Sequence, residues 1–149
     1  CMVNPLAGLT GWGTADVRSK TITQDIAIKV AAEVVMVAKS EGYKLGKIVG
    51  LEPDDFVEAA KGGKKIEEIK SQMLEQARQA GSSSRPSFGQ DVLKKRRTEI
   101  DYLTGFVSQV GKKNNVSTPF CDKVTEVVNS LGVGFEPSEE NLSEIEKLL

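Results

Sequence analysis

Residues 21–42 read TITQDIAIKVAAEVVMVAKSEG, and the spacing of their apolar side chains decides the fold class. Ile22, Ile26, Val30 and Val34 recur at every fourth position, with Ala27, Ala31, Val35 and Ala38 beside them. A strand would alternate apolar and polar residues, so this stretch has helical period despite its many valines. Thr21 followed by Gln24 matches a capping-box start, and Gly42 stands where a helix ends in the left-handed conformation. The polar strip left over is narrow, which places this helix at the centre of a helical bundle.

Working outward, the same signals recur. Cys1 to about Trp12 is apolar and contains Asn4-Pro5, a proline that kinks or breaks a helix running through it. Gly8, Gly11 and Gly13 then lead into a turn. Downstream, Tyr43 to Leu51 reads as a loop. Pro53 takes the first position of a short helix through Ala60, with Asp54 and Asp55 in its first turn. Gly62-Gly63 breaks it. Lys64 to Ala80 is amphipathic, with Ile66, Ile69, Met73 and Leu74 inward, and Gly81–Pro86 is a flexible loop. Ser87 with Gln90 repeats the capping-box pattern, and Ile100, Leu103, Val107 and Val110 form a stripe to Gly111. Thr118-Pro119 opens a helix to about Leu131, stopped by Gly132 and Gly134. Ser138 to Leu149 forms a short terminal helix. About seven helices and no strand are predicted, so the chain is all-α, one helical domain over 1–149.

Composition narrows the function classes. The chain has 149 residues, a length that fits one domain with a self-sufficient core. Its net charge of −1 lacks the basic excess that nucleic acid or an anionic membrane would call for. The longest apolar run, Ile26 to Ala38, is interrupted by Lys29 and Glu33 and is too short for a bilayer. No partner membrane or nucleic acid is therefore expected. Cys1 and Cys121 lie far apart in no metal-like spacing, which suits two free thiols in a reducing cytoplasm, Cys121 as a small core residue. Histidine is absent, which removes Ser-His-Asp and Cys-His triads and His-based zinc sites. No metal is expected. Gly8–Gly13 has its glycines in the wrong order for a dinucleotide fingerprint, with no strand before it, so no Rossmann domain is present in this stretch. Cys1-Met2-Val3-Asn4-Pro5 has no polar lead-in, and the chain is expected to be a piece of something longer.

Several polar residues have two readings each. Ser87 could cap a helix or hydrogen-bond an anionic ligand at that helix start. Thr98 could cap, and Glu99 and Asp101 could be ordinary first-turn acids. Asn4 could satisfy backbone groups at a kink. Lys94-Lys95-Arg96-Arg97 could be a solvated face or a phosphate contact.

These residues fall in an order that resembles a known family. Asn4-Pro5-Leu6 is followed by the Thr21–Glu41 helix, then Ser87-Phe88-Gly89-Gln90-Asp91, then Arg97-Thr98-Glu99-Ile100-Asp101-Tyr102-Leu103-Thr104-Gly105, then Val116-Ser117-Thr118-Pro119. Over about residues 1–131 this is similar to the C-terminal helical domain of ketopantoate reductases (2-dehydropantoate 2-reductases), within the wider 6-phosphogluconate dehydrogenase-like group. The resemblance implies NADPH-dependent reduction of ketopantoate to pantoate, toward pantothenate and coenzyme A. It implies an active site in a cleft against the protein's own N-terminal NADP-binding Rossmann domain, and a possible homodimer. It assigns Asn4 and Ser87 to the substrate, Glu99 to the cofactor hydroxyls near the nicotinamide, and a structural role to Asp101.

The family's general-acid lysine would fall before Cys1, so no catalytic residue lies in this chain, and neither Lys20 nor Lys29 replaces it. The isolated chain is predicted inactive. The family's further substrate asparagine has no counterpart in Gly13-Thr14-Ala15-Asp16, where Thr14 is the expected stand-in. A related NADP-dependent 2-oxo acid reductase of other specificity, or a non-catalytic helical interaction module, are the alternative readings. An apolar face around Asn4–Leu9 and Leu103–Val107 is expected to be covered by another copy.

Overall fold

The computed structural model describes residues 1–48, 50–80 and 85–149, the side chain of Ala80 excepted. Among these residues the chain forms nine α-helices: α1 Asn4–Thr10, α2 Thr14–Ser19, α3 Thr21–Ser40, α4 Pro53–Ala59, α5 Lys64–Ala80, α6 Ser87–Leu93, α7 Thr104–Lys113, α8 Pro119–Leu131 and α9 Ser143–Glu146. Two 3-10 turns, Ile100–Tyr102 and Glu139–Leu142, precede α7 and α9. The β structure among the described residues is one isolated bridge between Ile48 and Leu51.

Helix α3 is the centre, as its narrow polar strip requires. Ile26, Ile28, Val30, Ala32 and Val35 are all buried, although they point in different directions around the axis. A helix apolar all round must be enclosed, and α3 is enclosed by α2, α4, α5, α7, α8 and α9. Gly42 closes it at φ +80°. The Gly42 amide donates to the Lys39 carbonyl at 2.9 Å and the Tyr43 amide to that of Ala38 at 3.0 Å, the paired bonds of a Schellman end.

The N-terminal reading needs correcting. Pro5 starts α1 instead of kinking it, because a proline in the first turn has no helical N–H to lose. Gly11, at φ +75°, ends α1 by donating to Ala7 at 2.9 Å. The residues that follow form α2, which the sequence did not announce: it is six residues long and buries Val17 alone, too little for a periodic signal. Only Lys20 separates α2 from α3. Thr21 is therefore the first helical residue and no capping box forms. Gln24 instead donates to the carbonyls of Arg18 at 2.7 Å and Lys70 at 3.3 Å, tying the end of α2 to α5.

Further on, Leu74 is exposed and Ala77 joins Ile69 and Met73 in the core. Of the Gly81–Pro86 loop, Gly81–Ser84 lies outside the described residues. The stripe from Ile100 to Gly111 is interrupted at Leu103, whose φ −102° and ψ −104° separate the 3-10 turn from α7. The single terminal helix expected over Ser138–Leu149 is instead a 3-10 turn followed by one turn of α-helix. No helix among the described residues is long and apolar enough to cross a membrane.

Candidate functional site

Helices α1 and α6 pack directly on one another. Their approach is so close that a Cβ on Gly8 would lie 2.3 Å from a ring carbon of Phe88, and one on Gly89 would meet the Ala7 carbonyl at 3.7 Å. Phe88 and Val92 are buried in this contact. The packing sets the helix that begins with Asn4 beside the helix that begins with Ser87.

Asn4 is half-buried at the first position of α1 and its side chain makes no hydrogen bond among the described residues. Ser87 is exposed at the first position of α6. The cap position belongs to Pro86, and the Ser87 hydroxyl bonds to no backbone group. The capping-box reading of Ser87 and Gln90 is therefore wrong. Proline at the cap position moves serine one residue into the helix, and Gln90 donates to the Arg85 carbonyl at 3.3 Å instead. What remains for Ser87 is a hydroxyl without a hydrogen-bond partner among the described residues.

Glu99 is exposed and forms no salt bridge or side-chain hydrogen bond among the described residues. It precedes the 3-10 turn, where Thr98 provides no cap either. The amine of Cys1 lies close enough to Cys121 and Glu99 to interact electrostatically with both. Asp91, Arg97, Thr98, Glu99, Asp101 and Tyr102 line one shallow cleft there. Asp101 is engaged structurally, accepting from Asn129 at 3.0 Å and pairing with Arg97 at 3.5 Å. Arg96 pairs with Asp91 at 4.0 Å, so the basic run faces solvent with acidic partners of its own.

Thr14 stands apart from this arrangement. It opens α2, whose packing runs chiefly along α5, and its hydroxyl also lacks an internal partner. Lys20 sits over the Trp12 ring at 4.4 Å, and Lys29 donates to the Ala60 carbonyl at 2.7 Å. Both are committed to structure. The Asn4–Leu9 stretch is not part of a bare apolar face, because Pro5 to Thr10 are buried within this chain by α6 and the C-terminal turns. Exposed apolar side chains occur nearby at Tyr102, 84% exposed, and Phe106, 56% exposed, while Val107 is buried.

One functional-looking group was not singled out from the sequence. Glu33, in the middle of α3, is buried, with Oε1 accepting from the Phe120 amide at 2.9 Å and Oε2 from the Cys121 amide at 2.7 Å. Burial pushes its carboxyl above the ordinary range, against the lowering effect of those two amides. The detectable signal was an acid on the apolar side of an otherwise enclosed helix. Beside it, burial first and Glu33 second drive the Cys121 thiol far above its ordinary range, which fits a core residue and not a nucleophile.

Asn4 and Ser87 offer neutral hydrogen-bond donors and Glu99 a carboxyl group. Such a set can orient a small polar ligand. The family model described as "Ketopantoate reductase PanE/ApbA C terminal" matches residues 1–132. The chain belongs to that family. A 2-dehydropantoate 2-reductase of Lactococcus lactis is 56% identical over 46 residues, 30% of this chain and 15% of that protein. Among solved structures, D-mandelate dehydrogenase with NADH and anilino(oxo)acetate is 25% identical over 87% of this chain and 46% of the other, with a TM-score of 0.64. A dimeric ketopantoate reductase from Staphylococcus aureus shares the fold at a TM-score of 0.61 and 12% identity, over 93% of this chain and 39% of its own. The ketopantoate reductase C-terminal chain thus spans less than half the length of these structures. Among the described residues no group of three or more Cys, Asp or Glu could hold a metal ion.

Proposed function

We propose that the chain is the substrate-side wall of an NADPH-dependent 2-oxo acid reductase, with ketopantoate as substrate and a nucleotide-binding domain as the opposite wall. The observation that carries this reading is the α1–α6 packing. It sets Asn4 and Ser87 at the starts of two touching helices, with side chains that form no hydrogen bond among the described residues. Family membership over residues 1–132 supports the same reading.

A dihydronicotinamide bound against this wall would be the source of the hydride for the carbonyl carbon. The carbonyl oxygen takes a proton from the family's lysine, which would precede Cys1, and the product is the 2-hydroxy acid. Asn4 and Ser87 would hold the oxo acid by hydrogen bonds, fixing the carbonyl face presented to the hydride. Glu99, exposed and without a hydrogen bond among the described residues, would accept from cofactor hydroxyls at the edge of the cleft. The chain alone lacks both hydride source and proton donor and is proposed to be inactive.

A neighbouring specificity is favoured by one observation. The solved structure at 25% identity is a D-mandelate dehydrogenase with NADH, and Thr14 stands where the family's asparagine is expected. Steady-state assays of the full-length protein separate the two. NADPH oxidation that depends on ketopantoate supports the first reading, preference for phenylglyoxylate with NADH supports the second, and turnover of neither refutes both.

A further inference from the structure

The family match ends at residue 132, yet the segment that follows is built into the fold. Leu142 and Ile145 are buried in the core. Pro137 lies against Gly11 at the end of α1, where an added Cβ would meet it at 3.0 Å. Two donors from this segment meet one atom: the Ser138 amide and the Asn141 side-chain amide both reach the Leu9 carbonyl at 2.9 Å. Asn141 also donates to the Glu136 carbonyl at 3.1 Å, which locks the segment's own loop.

The Leu9 carbonyl is one of the acceptors that a helix leaves unpaired in its last turn. Leu9 itself is fully buried, so water is a poor substitute there. Gly11 has already turned the backbone away and bonds to Ala7 instead. The C-terminal segment therefore supplies both hydrogen bonds that the Leu9 carbonyl accepts at the end of α1. A helix of seven residues is too short to hold itself. Its position is set by α6 along one side and by this clasp at its far end.

We infer that residues 133–149 act as a clasp on α1, and that Asn141 is a positioning residue that fixes where Asn4 stands in the candidate cleft. The inference rests on the proposed role of Asn4. Loosening the Leu9 end lets α1 tilt on α6 and misplaces Asn4 without touching substrate.

The test uses the full-length protein, with Asn141→Ala and Asn141→Asp compared against Ile69→Val, a core change on α5 of similar cost to stability. The expected result for Asn141→Ala is a KM for the 2-oxo acid raised about fivefold, the loss of one neutral hydrogen bond. The KM for NADPH stays unchanged, and Asn141→Asp is worse because its carboxylate faces the Leu9 carbonyl. Hydrogen exchange at Leu6–Thr10 amides should accelerate in both Asn141 variants and not in Ile69→Val. If Asn141→Asp does not fold, Asn141→Ala carries both readouts. Faster exchange in α1 with unchanged oxo acid KM overturns the positioning role. Unchanged exchange overturns the clasp. If the wild-type protein reduces no 2-oxo acid, the functional reading fails, and the exchange measurement still decides whether the clasp exists.

Discussion

Glu33 on the central helix caps the N-terminus of α8 from a distance: its carboxylate accepts the backbone amide of Cys121 at 2.7 Å as well as that of Phe120. Thr118 holds the expected cap position but forms no side-chain bond to the helix backbone. An acceptor at a helix start is favoured because it satisfies free backbone amides, and here that hydrogen bonding works against the cost of burying the carboxylate. Replacing it should therefore be costly. Glu33→Ala leaves two buried amides without a partner and is expected to lower stability by about 3 kcal/mol. Glu33→Gln keeps one acceptor and should cost about half as much. Urea unfolding of each variant checks both values, and a loss below a few tenths of a kcal/mol for Glu33→Ala contradicts the capping role.

The same residue predicts a pH dependence. Burial raises the Glu33 carboxyl above its ordinary value, so the folded state binds this proton more tightly than the unfolded state does. The stability it contributes is complete below the unfolded value, near the ordinary glutamate range, and is lost as pH rises through the folded value. The urea midpoint of the wild type should carry this falling component as pH rises from the ordinary glutamate range through the raised folded value. In Glu33→Gln that component should vanish, leaving a flatter profile.

Gly8 is required by the ring of Phe88. A methyl group there would enter the ring's space, and Gly8→Ala should destabilise by about 1–3 kcal/mol, the usual cost of overpacking. Phe88→Leu makes room, so the double variant should lose less than the sum of the two single losses. Strict additivity in thermal or chemical unfolding would mean that the two helices do not meet as described.

Cys1 is exposed and Cys121 is buried with its thiol pushed far up. One thiol should react with a disulfide reagent in the native protein and two after unfolding in urea. Rapid native labelling of Cys121 would contradict its place in the core.

Glu99 is exposed and forms no hydrogen bond or salt bridge among the described residues, so Glu99→Gln should change stability by less than about 0.5 kcal/mol. In the full-length enzyme it should raise the KM for NADPH about tenfold or more, as for a hydrogen bond to a charged group. A large drop in thermal midpoint with unchanged kinetics would reverse the assignment.

Much of the architecture was legible because α3, α4, α5 and α8 carry long periodic stripes or a proline start, and these survive in the fold. The misses share one cause. Thr21 and Ser87 match a capping pattern, but Lys20 and Pro86 take the cap positions, because neighbouring elements decide where a helix begins. Helix α2 and the break at Leu103 left no periodic trace, since each depends on packing between segments remote in sequence. The grouping of Asn4, Ser87 and Glu99 entered through family likeness, and periodicity alone would not have joined them. Glu33 and Asn141 were invisible for a related reason: each acts on backbone atoms far along the chain, and a sequence does not print its carbonyls.

The central claim is tested most directly by Ser87→Ala in the full-length protein, with NADPH oxidation followed against ketopantoate concentration. A free hydroxyl that binds substrate predicts a KM raised about fivefold with an unaltered thermal midpoint. An unchanged KM, in an enzyme that does turn over ketopantoate, would contradict the account.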